Sequence, residues 1–293
     1  LKPGFSHIFV IPAEGGSPRQ LTSSSFNHGG SLSWSKNGQK IYFSGNRNTD
    51  WEYDFRNSEV YSIDIYTKLF EQLTTVSGPD YAPKVSPDGK KIAYLGYEDK
   101  VQAYQVTKLY VMDVNGDTKK VISAKFDRDV DTAEWAPDGK GFYIQYNDLG
   151  RTKIGYMDLD GNVSELVDNL GGTTLGRPYA SGSFSISSNG KIAYTISYPE
   201  RPADVALLDK PNTKPRLLTM LNEDLLAFKT MATLEEINYK SSIDGRNLQG
   251  WLMYPPHYDK TKKYPLIVEN HGGPILNYGP FFSAEMQLYA SAG

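Results

Sequence analysis

The sequence contains no cysteine, which excludes disulfide bonds and thiolate metal sites. Its 31 Lys and Arg residues are balanced by 34 Asp and Glu residues, so no basic field is available to hold a nucleic acid. No apolar run approaches the roughly 18 residues of a membrane-spanning helix, and the first ten residues do not resemble a signal peptide. We therefore expect neither a nucleic-acid nor a membrane partner. A cytoplasmic and a periplasmic location are equally compatible with this composition.

The residues that are abundant favour β-structure. The chain of 293 residues contains 21 Tyr, 12 Phe, 27 Gly and 17 Pro, a composition typical of strands joined by tight turns. Its length allows one large domain or two ordinary ones. The sequence therefore predicts a mainly β fold.

A turn phrase recurs four times, and each copy is followed by an apolar or alternating run. Its final glycines lie 51, 50 and 51 residues apart. The asparagine or aspartate before each glycine can bond back to the backbone, and the glycine can take the positive φ that closes a hairpin. Each copy therefore predicts a strand, a turn and a second strand. The copies are Trp34–Gly38, Val85–Gly89, Trp135–Gly139 and Ile186–Gly190.

A second phrase lies between the copies of the first and adds another hairpin to each period. Leu-Thr pairs at Leu21, Leu73 and Leu218 close three of these units. Two hairpins per period of about 50 residues are typical of a four-stranded β-propeller blade. The predicted blades cover residues 29–74, 81–122, 129–167 and 180–219, and residues 1–22 predict the outer hairpin of another. Because propellers close into rings, we expect that sequence before Leu1 has been lost; an ordinary sandwich with chance turn similarity is the alternative.

After residue 219 the repeat stops. Residues 220–235 are interpreted as a connector. A strand and a hairpin turn are then predicted at 236–245, and further strands at 247–254 and 263–269. A glycine-rich loop at 270–274 and a helix at 281–292 follow.

These later residues resemble a known family. Asp244-Gly245, the run Leu248–Pro255, Tyr264–Val268 and His271-Gly-Gly-Pro274 resemble the entry to the catalytic domain of acylaminoacyl-peptidase and dipeptidyl-peptidase relatives of prolyl oligopeptidase. The blade phrases and Asn46–Asn57 resemble the propeller of the same family. The resemblance implies a partial β-propeller at 1–219 and an N-terminal fragment of an α/β-hydrolase domain at 236–293. It also implies a parent serine peptidase that hydrolyses short peptides through an acyl-enzyme, with the propeller gating access.

Within this resemblance, Gly273 is the candidate oxyanion-hole donor through its backbone N–H, and Gly272 belongs to the same loop. His271 is interpreted as a structural imidazole that fixes the loop; a catalytic base is the alternative. No Gly-x-Ser-x-Gly sequence occurs, so we expect the nucleophile and the rest of the triad to lie outside these residues and the chain alone to be inactive. Ser31, Ser33 and Ser283 are interpreted as ordinary strand or helix residues.

Family analogy assigns Glu52 or Asp54 to the ammonium group of a peptide substrate. The alternative is a blade-packing and salt-bridge motif that involves Arg47 and Arg56. The alternating acids at 127–131 lack the glycine of a calcium loop, and residues 171–176 lack the lysine of a phosphate loop, so they are interpreted as a solvated loop and a flexible linker. We expect no metal and no cofactor.

Two other functions remain open. A non-enzymatic, TolB-like propeller would act as a protein-binding module, although it has no need for a glycine loop of the oxyanion type. A carboxylesterase would carry a similar loop. Peptidase specificity, oligomeric state and the number of missing blades are not determined by these residues.

Overall fold

The structure, a computed structural model, describes residues 4–273 and 275–293, so Pro274 of the glycine-rich motif lies outside the described residues. The chain contains two compact units. One runs up to Tyr146 and includes Gly155–Ser164; the other consists of Asn147–Ile154 and Glu165–Gly293. The domain ranges expected from the sequence stay a prediction.

Short antiparallel strands dominate the first unit. An initial hairpin pairs β1 with β2, and two separate four-stranded sheets follow in the orders β3-β4-β5-β6 and β7-β8-β9-β10. The hairpin strands are β1 (Phe9–Val10) and β2 (Arg19–Gln20). The first sheet comprises β3 (Gly29–Trp34), β4 (Lys40–Gly45), β5 (Glu59–Asp64) and β6 (Phe70–Gln72). The second comprises β7 (Asp80–Val85), β8 (Lys91–Gly96), β9 (Lys108–Asp113) and β10 (Lys120–Val121).

The next two groups of four strands belong to one eight-stranded sheet. They are linked by a single pair, in which Leu170 at the end of β14 lies opposite Ile196 of β16. The third group comprises β11 (Thr132–Trp135), β12 (Gly141–Asp148), β13 (Arg151–Asp158) and β14 (Val163–Leu170). The fourth comprises β15 (Phe184–Ile186), β16 (Ile192–Tyr198), β17 (Arg201–Leu208) and β18 (Arg216–Leu217).

The recurring turn phrase occupies the same place in every group. Trp34, Val85, Trp135 and Ile186 are each the last residue of the first strand in their group. The four phrase glycines have φ of 70, 80, 70 and 80°, a backbone conformation that favours glycine. Each glycine N–H donates to the carbonyl three residues earlier, at 2.8–2.9 Å. The predicted strand-turn-strand repeat is confirmed at these positions.

A hydroxyl group closes the outer side of several repeats. The backbone N–H of Val60 donates to Thr74 Oγ1 at 2.8 Å, and the equivalent N–H of Val205 donates to Thr219 Oγ1 at 2.9 Å. Ser123 Oγ accepts from Leu109 in the same way at 2.9 Å. Because a buried N–H without an acceptor is costly, this bond explains the hydroxyl residue that ends each of these units.

Apolar side chains fill the space between consecutive elements of the first unit. One cluster joins the initial hairpin to the first sheet, a second joins the first and second sheets, and a third joins the second and third groups of strands. Phe43, Met112 and Phe142 are completely buried in these three clusters. Burial of such a side chain contributes roughly 1.5–3 kcal/mol, so the clusters dominate the stability of this unit.

The region after the repeats begins with a short helix, α1 (Glu223–Leu226), and an antiparallel pair, β19 (Thr233–Lys240) and β20 (Asn247–Tyr254). The strand and hairpin turn predicted at 236–245 and the strand predicted at 247–254 are present, although the first strand begins earlier, at Thr233. The helix predicted at 281–292 is α2 (Ala284–Ser291). It starts later because Phe281 and Phe282 are buried ahead of it and Ser283 is its N-cap.

The third predicted strand, at 263–269, is wrong for this structure, since residues 263–270 are irregular. Leu266, Ile267 and Val268 are 74, 62 and 71% exposed. A strand requires a neighbour for its backbone hydrogen bonds, and an apolar run of this type is typical of a sheet buried on both faces. No strand among the described residues pairs with this run, so the apolar pattern alone does not produce a strand.

Candidate active site

The candidate oxyanion loop lies on the surface of the second unit. His271, Gly272 and Gly273 are all exposed, and Gly273 has φ of 145°, a conformation that favours glycine. A Cβ atom at Gly273 would lie 3.1 Å from the backbone nitrogen of Ile275. Within residues 4–273 and 275–293, the Gly273 N–H donates no hydrogen bond. The local geometry therefore leaves this donor available to a ligand.

His271 contacts its own loop. Its Nδ1 lies 3.2 Å from the carbonyl oxygen of Gly272, and its ring centroid is 5.5 Å from that of Tyr278. An imidazole packed on a tyrosine and bonded to the adjacent carbonyl fits a structural role in the loop. That role stays a prediction, as do the roles of Gly272 and Gly273.

A charged cluster surrounds the beginning and the end of the loop. Arg177 Nη1 contacts Glu269 and donates to the Tyr278 hydroxyl at 3.2 Å. Its Nε lies 3.1 Å from Glu285 Oε2, in the first turn of α2. The Tyr278 hydroxyl, followed by the carboxylates of Glu269 and Glu285, raises the pKa of the Arg177 guanidinium. Burial raises the pKa of Tyr278. Arg177 therefore holds its positive charge between two carboxylates.

The segment that carries Arg177 also pairs with the chain after the loop. Tyr179 and Tyr278 form an antiparallel bridge, and their rings meet edge to face at a centroid distance of 4.8 Å. The N–H of Gly279 donates to the carbonyl of Pro178 at 2.9 Å, and the N–H of Ala180 donates to that of Asn277 at 3.2 Å. These contacts fix the C-terminal end of the loop.

Residues 171–176, interpreted from the sequence as a flexible linker, are packed at Gly171 and Gly172 but exposed at Leu175 and Gly176. Gly171 is buried, and a Cβ there would lie 2.6 Å from the Phe281 ring. Ser283 Oγ donates to the carbonyl of Gly176 at 2.7 Å and accepts from the N–H of Met286 at 3.2 Å. Gly171 and Gly172 therefore allow close packing, so the beginning of this segment is not a flexible linker. Ser283 is a helix cap, in agreement with the structural role expected for it.

The β19–β20 hairpin supports the same segment from another side. Trp251 Nε1 donates to the carbonyl of Tyr278 at 3.1 Å. The Arg151 guanidinium lies 6.0 Å from the centroid of the Trp251 ring and 4.0 Å from Glu236. Tyr278 is therefore held through its hydroxyl, its ring and its backbone carbonyl.

The stretch with the predicted ammonium-binding acids forms a turn-rich loop in the first unit. Glu52 is exposed, and no hydrogen bond or ion pair joins it to another described residue. Asp54 Oδ2 accepts from the side chain of Asn57 at 3.0 Å. Arg56 forms an ion pair with Asp99 at 3.4 Å, while Arg47 packs over the Phe70 ring at 4.4 Å. Both arginines therefore have packing or ion-pair roles, and the substrate role of Glu52 and Asp54 stays a prediction.

Two buried acids in the first unit were not singled out by sequence reasoning. Glu59 and Asp80 are 6 and 4% exposed, and the Thr74 hydroxyl donates to Glu59 Oε2 at 2.5 Å. Burial raises the pKa of Glu59 to about 7 and that of Asp80 to about 6. One sequence feature could have indicated this burial: Glu59 begins a strand, and its partner Thr74 is the threonine that ends the repeat. These groups titrate close to neutral pH.

The remaining candidates have structural contacts. Asp129 accepts from the N–H of Thr107 at 2.6 Å and from the Tyr104 hydroxyl at 2.7 Å. Ser33 Oγ accepts from the N–H of Val85 at 3.0 Å. Among the described residues, no group of three His, Asp or Glu side chains is arranged to hold a metal. A helix with the length and apolar character required to cross a membrane is also not found in this part of the chain.

Comparisons with known proteins find similar peptidases and a TolB protein. A profile of the dipeptidyl peptidase IV (DPP IV) N-terminal region matches residues 2–104. Dipeptidyl-peptidase 5 of Porphyromonas gingivalis is 28% identical over 260 residues, which cover 88% of this chain and 36% of the relative. Acylaminoacyl peptidase of Pyrococcus horikoshii aligns with a TM-score of 0.73 and 25% identity over 100% of this chain and 44% of its own. TolB of Acinetobacter baumannii aligns with a TM-score of 0.51 and 22% identity over 84% of this chain and 56% of its own.

These matches define a mainly β chain with antiparallel sheets of the kind found in propeller-containing peptidases. The chain is similar to peptidases of the prolyl oligopeptidase family. It spans 36% of the length of the curated relative and 44% of that of the archaeal structure.

Proposed function

We propose that this chain is part of a longer serine-type peptidase that hydrolyses short peptides through an acyl-enzyme. In this proposal, the groups of strands at 29–74, 81–122, 129–167 and 180–219 are propeller blades that gate substrate access. Residues 236–293 begin the α/β-hydrolase domain. The nucleophilic serine, the acid and the histidine follow Gly293 in that order. The apolar run at 266–268 would then be covered by strands of the rest of the domain.

The observation that carries the proposal is the exposed glycine loop. Gly273 has a positive φ and an N–H that donates no hydrogen bond within the described residues. An oxyanion hole requires such a donor, fixed in place before the reaction and aimed at the position where negative charge develops. The amide that follows the nucleophile would supply the second donor. The acylaminoacyl peptidase match, which extends over the whole chain including this loop, supports the same function.

Glu52 is the better of the two proposed ammonium-binding acids. Its carboxylate is exposed and without a partner among the described residues, whereas Asp54 already accepts from Asn57. A free carboxylate can form charge-assisted hydrogen bonds with the amino terminus of a peptide. We therefore expect Glu52→Gln to raise KM for peptides with a free amino terminus and to leave KM for amino-terminally blocked peptides unchanged.

A binding module of the TolB type is the second candidate, because a TolB structure shares the fold of 84% of the chain. A carboxylesterase is the third candidate, because its oxyanion loop would have a similar glycine sequence. The residues after 219 favour the peptidase over the binding module, because a module that only binds proteins gains nothing from a free N–H donor on a glycine at positive φ.

The test begins with the coding sequence beyond Gly293. We expect a Gly-x-Ser-x-Gly sequence there, followed by an acid and then a histidine. The longer protein should hydrolyse short chromogenic peptides and should be blocked by a serine-directed fluorophosphonate, whereas the 293-residue chain should show only background hydrolysis. A coding sequence that stops at Gly293 would favour the binding module. Hydrolysis of simple esters without any peptide hydrolysis would favour the esterase.

A further inference from the structure

The Arg177 side chain contacts both the residue before the glycine loop and a residue after it. Its Nη1 contacts Glu269 and also donates to the Tyr278 hydroxyl at 3.2 Å. The Tyr278 hydroxyl in turn donates to Glu269 Oε1 at 3.3 Å. These three groups form a closed polar ring. Residues 270–277, which include the glycine loop at 270–274, lie between Glu269 and Tyr278.

The same guanidinium also fixes the helix that follows. Arg177 Nε and Nη2 lie 3.1 and 3.5 Å from the two carboxylate oxygens of Glu285. A planar guanidinium can bond a carboxylate through two N–H groups in a fixed orientation, which a lysine ammonium cannot do. Arg177 therefore relates three parts of the chain to one another: residue 269, residue 278 and the first turn of α2.

We propose that Arg177 is a positioning residue that sets the place of the Gly273 donor by fixing both ends of the glycine loop. The inference rests on the proposed function, because it gives the loop a catalytic task. It adds a residue from a segment about 90 residues earlier in the sequence, which no motif singled out. Displacement of reacting groups by about 1 Å can lower the reaction rate roughly a hundredfold. Loss of the contacts that fix this loop should therefore lower kcat measurably.

A purely stabilising ion pair is the alternative. The side chains of Arg177, Glu269 and Glu285 are 41, 29 and 30% exposed. Pairs with this exposure contribute little to global stability, because solvent screens the attraction and ordering the side chains costs entropy. The proposal therefore predicts a change in loop placement and kcat with little change in melting temperature. The alternative predicts a small loss of stability without a specific effect on the loop.

The first experiment uses hydrogen exchange on the 293-residue chain and does not depend on catalysis. In Arg177→Met, the N–H groups of Gly279 and Ala180, which bond across the base of the loop, should exchange about tenfold faster than in the parent chain. The matched control is Arg246→Met, which removes an exposed pair with Asp244 at 3.1 Å, away from the loop. Equal exchange at Gly279 in the parent and in Arg177→Met would overturn the proposal.

The second experiment uses the longer protein and a chromogenic peptide. Arg177→Met should lower kcat about tenfold or more while KM stays within a factor of two, and Arg246→Met should match the parent. Arg177→Lys should recover part of kcat, since it restores the charge but not the bridge. Glu269→Gln should have a larger effect than Glu285→Gln, because only Glu269 adjoins the loop.

An unchanged kcat in Arg177→Met would overturn the proposal. A lower kcat accompanied by a proportionate loss of melting temperature would also overturn it, because loss of folded protein would then explain the change. Failure of the proposed function is distinguishable from either result. In that case the parent itself lacks peptidase activity, whereas the exchange experiment still reports whether Arg177 fixes the loop.

Discussion

The repeated sheets and the region after them use different means to order the chain. In the repeats, neighbouring strands pair along most of their length, and large apolar side chains such as Phe43 and Phe142 are completely buried. Between residue 254 and the start of α2, the described residues are irregular apart from turns and one isolated bridge. The apolar run at 266–268 is exposed. Polar contacts from the 171–180 segment hold the glycine loop instead. Order in the repeats is local, whereas order in the loop depends on residues far away in sequence.

This difference explains how far sequence reasoning could go. The turn phrase specifies its own geometry through a glycine at positive φ and a side chain that bonds the next amides, so Trp34, Val85, Trp135 and Ile186 could be assigned to equivalent positions. The hairpin at 233–254 was predictable for the same reason. The contacts of Arg177 were not, because nothing local in residues 171–177 specifies a partner more than 90 residues away.

The run at 263–269 shows the opposite error. Its continuous apolar content is that of a strand buried on both faces, but a strand needs a partner, and none is present among the described residues. The burial of Glu59 was also missed, because an acid is usually exposed and only its partner Thr74 indicates otherwise.

The repeats and the region after them should differ most in the loss of unfolding free energy when one apolar side chain in each is truncated. Phe142→Ala removes a completely buried ring and should lower the free energy of unfolding by about 3–5 kcal/mol. Leu266→Ala removes a side chain that is 74% exposed and should change it by less than about 0.5 kcal/mol. Urea unfolding of the 293-residue chain measures both.

Leu266→Ala also tests whether the rest of the proposed longer protein covers the apolar run at 266–268. There, Leu266→Ala should cost about 2–5 kcal/mol, because the rest of the hydrolase domain would bury this side chain. A small cost for Leu266→Ala in both proteins would contradict the assignment of this run to the hydrolase sheet.

The stability of the repeats should depend on pH through the buried carboxyl group of Glu59. The pKa of Glu59 is about 7 in the folded chain, above the ordinary 4.5, so the folded state binds more protons than the unfolded state between these values. Stability should therefore fall as pH rises from 4.5 through 7. Glu59→Gln should remove this loss and should be more stable than the parent at pH 8 by about 2–3 kcal/mol.

At pH 4, Glu59→Gln and the parent should have similar melting temperatures, because Glu59 is then neutral in both states. Glu165→Gln, at an acid that is exposed, serves as the control. A Glu59→Gln variant whose melting temperature follows that of the parent across the whole range would show that this carboxyl does not titrate as described.

The smallest effect should come from two completely buried serines, one in each region. Ser123→Ala removes the acceptor of the Leu109 N–H, and Ser283→Ala removes the cap of α2. Each should cost about 1–2 kcal/mol. The location of the effect should differ: amide exchange should rise around Leu109 in the first variant and around Glu285 and Met286 in the second. A rise spread evenly over the chain in either variant would contradict the contrast between local and long-range order.

The Gly273 donor tests the central claim most directly. Proline would remove the N–H but cannot adopt φ of 145°, so replacement of Gly273 by glycolic acid, which exchanges only the N–H for an ester oxygen, is the cleaner change. In the longer protein this ester should lower kcat by about a hundredfold or more, with KM and melting temperature close to those of the parent. The same exchange at Gly245, in the hairpin turn between β19 and β20, should leave kcat unchanged. A Gly273 ester that retains the kcat of the parent would show that this loop does not stabilise an oxyanion.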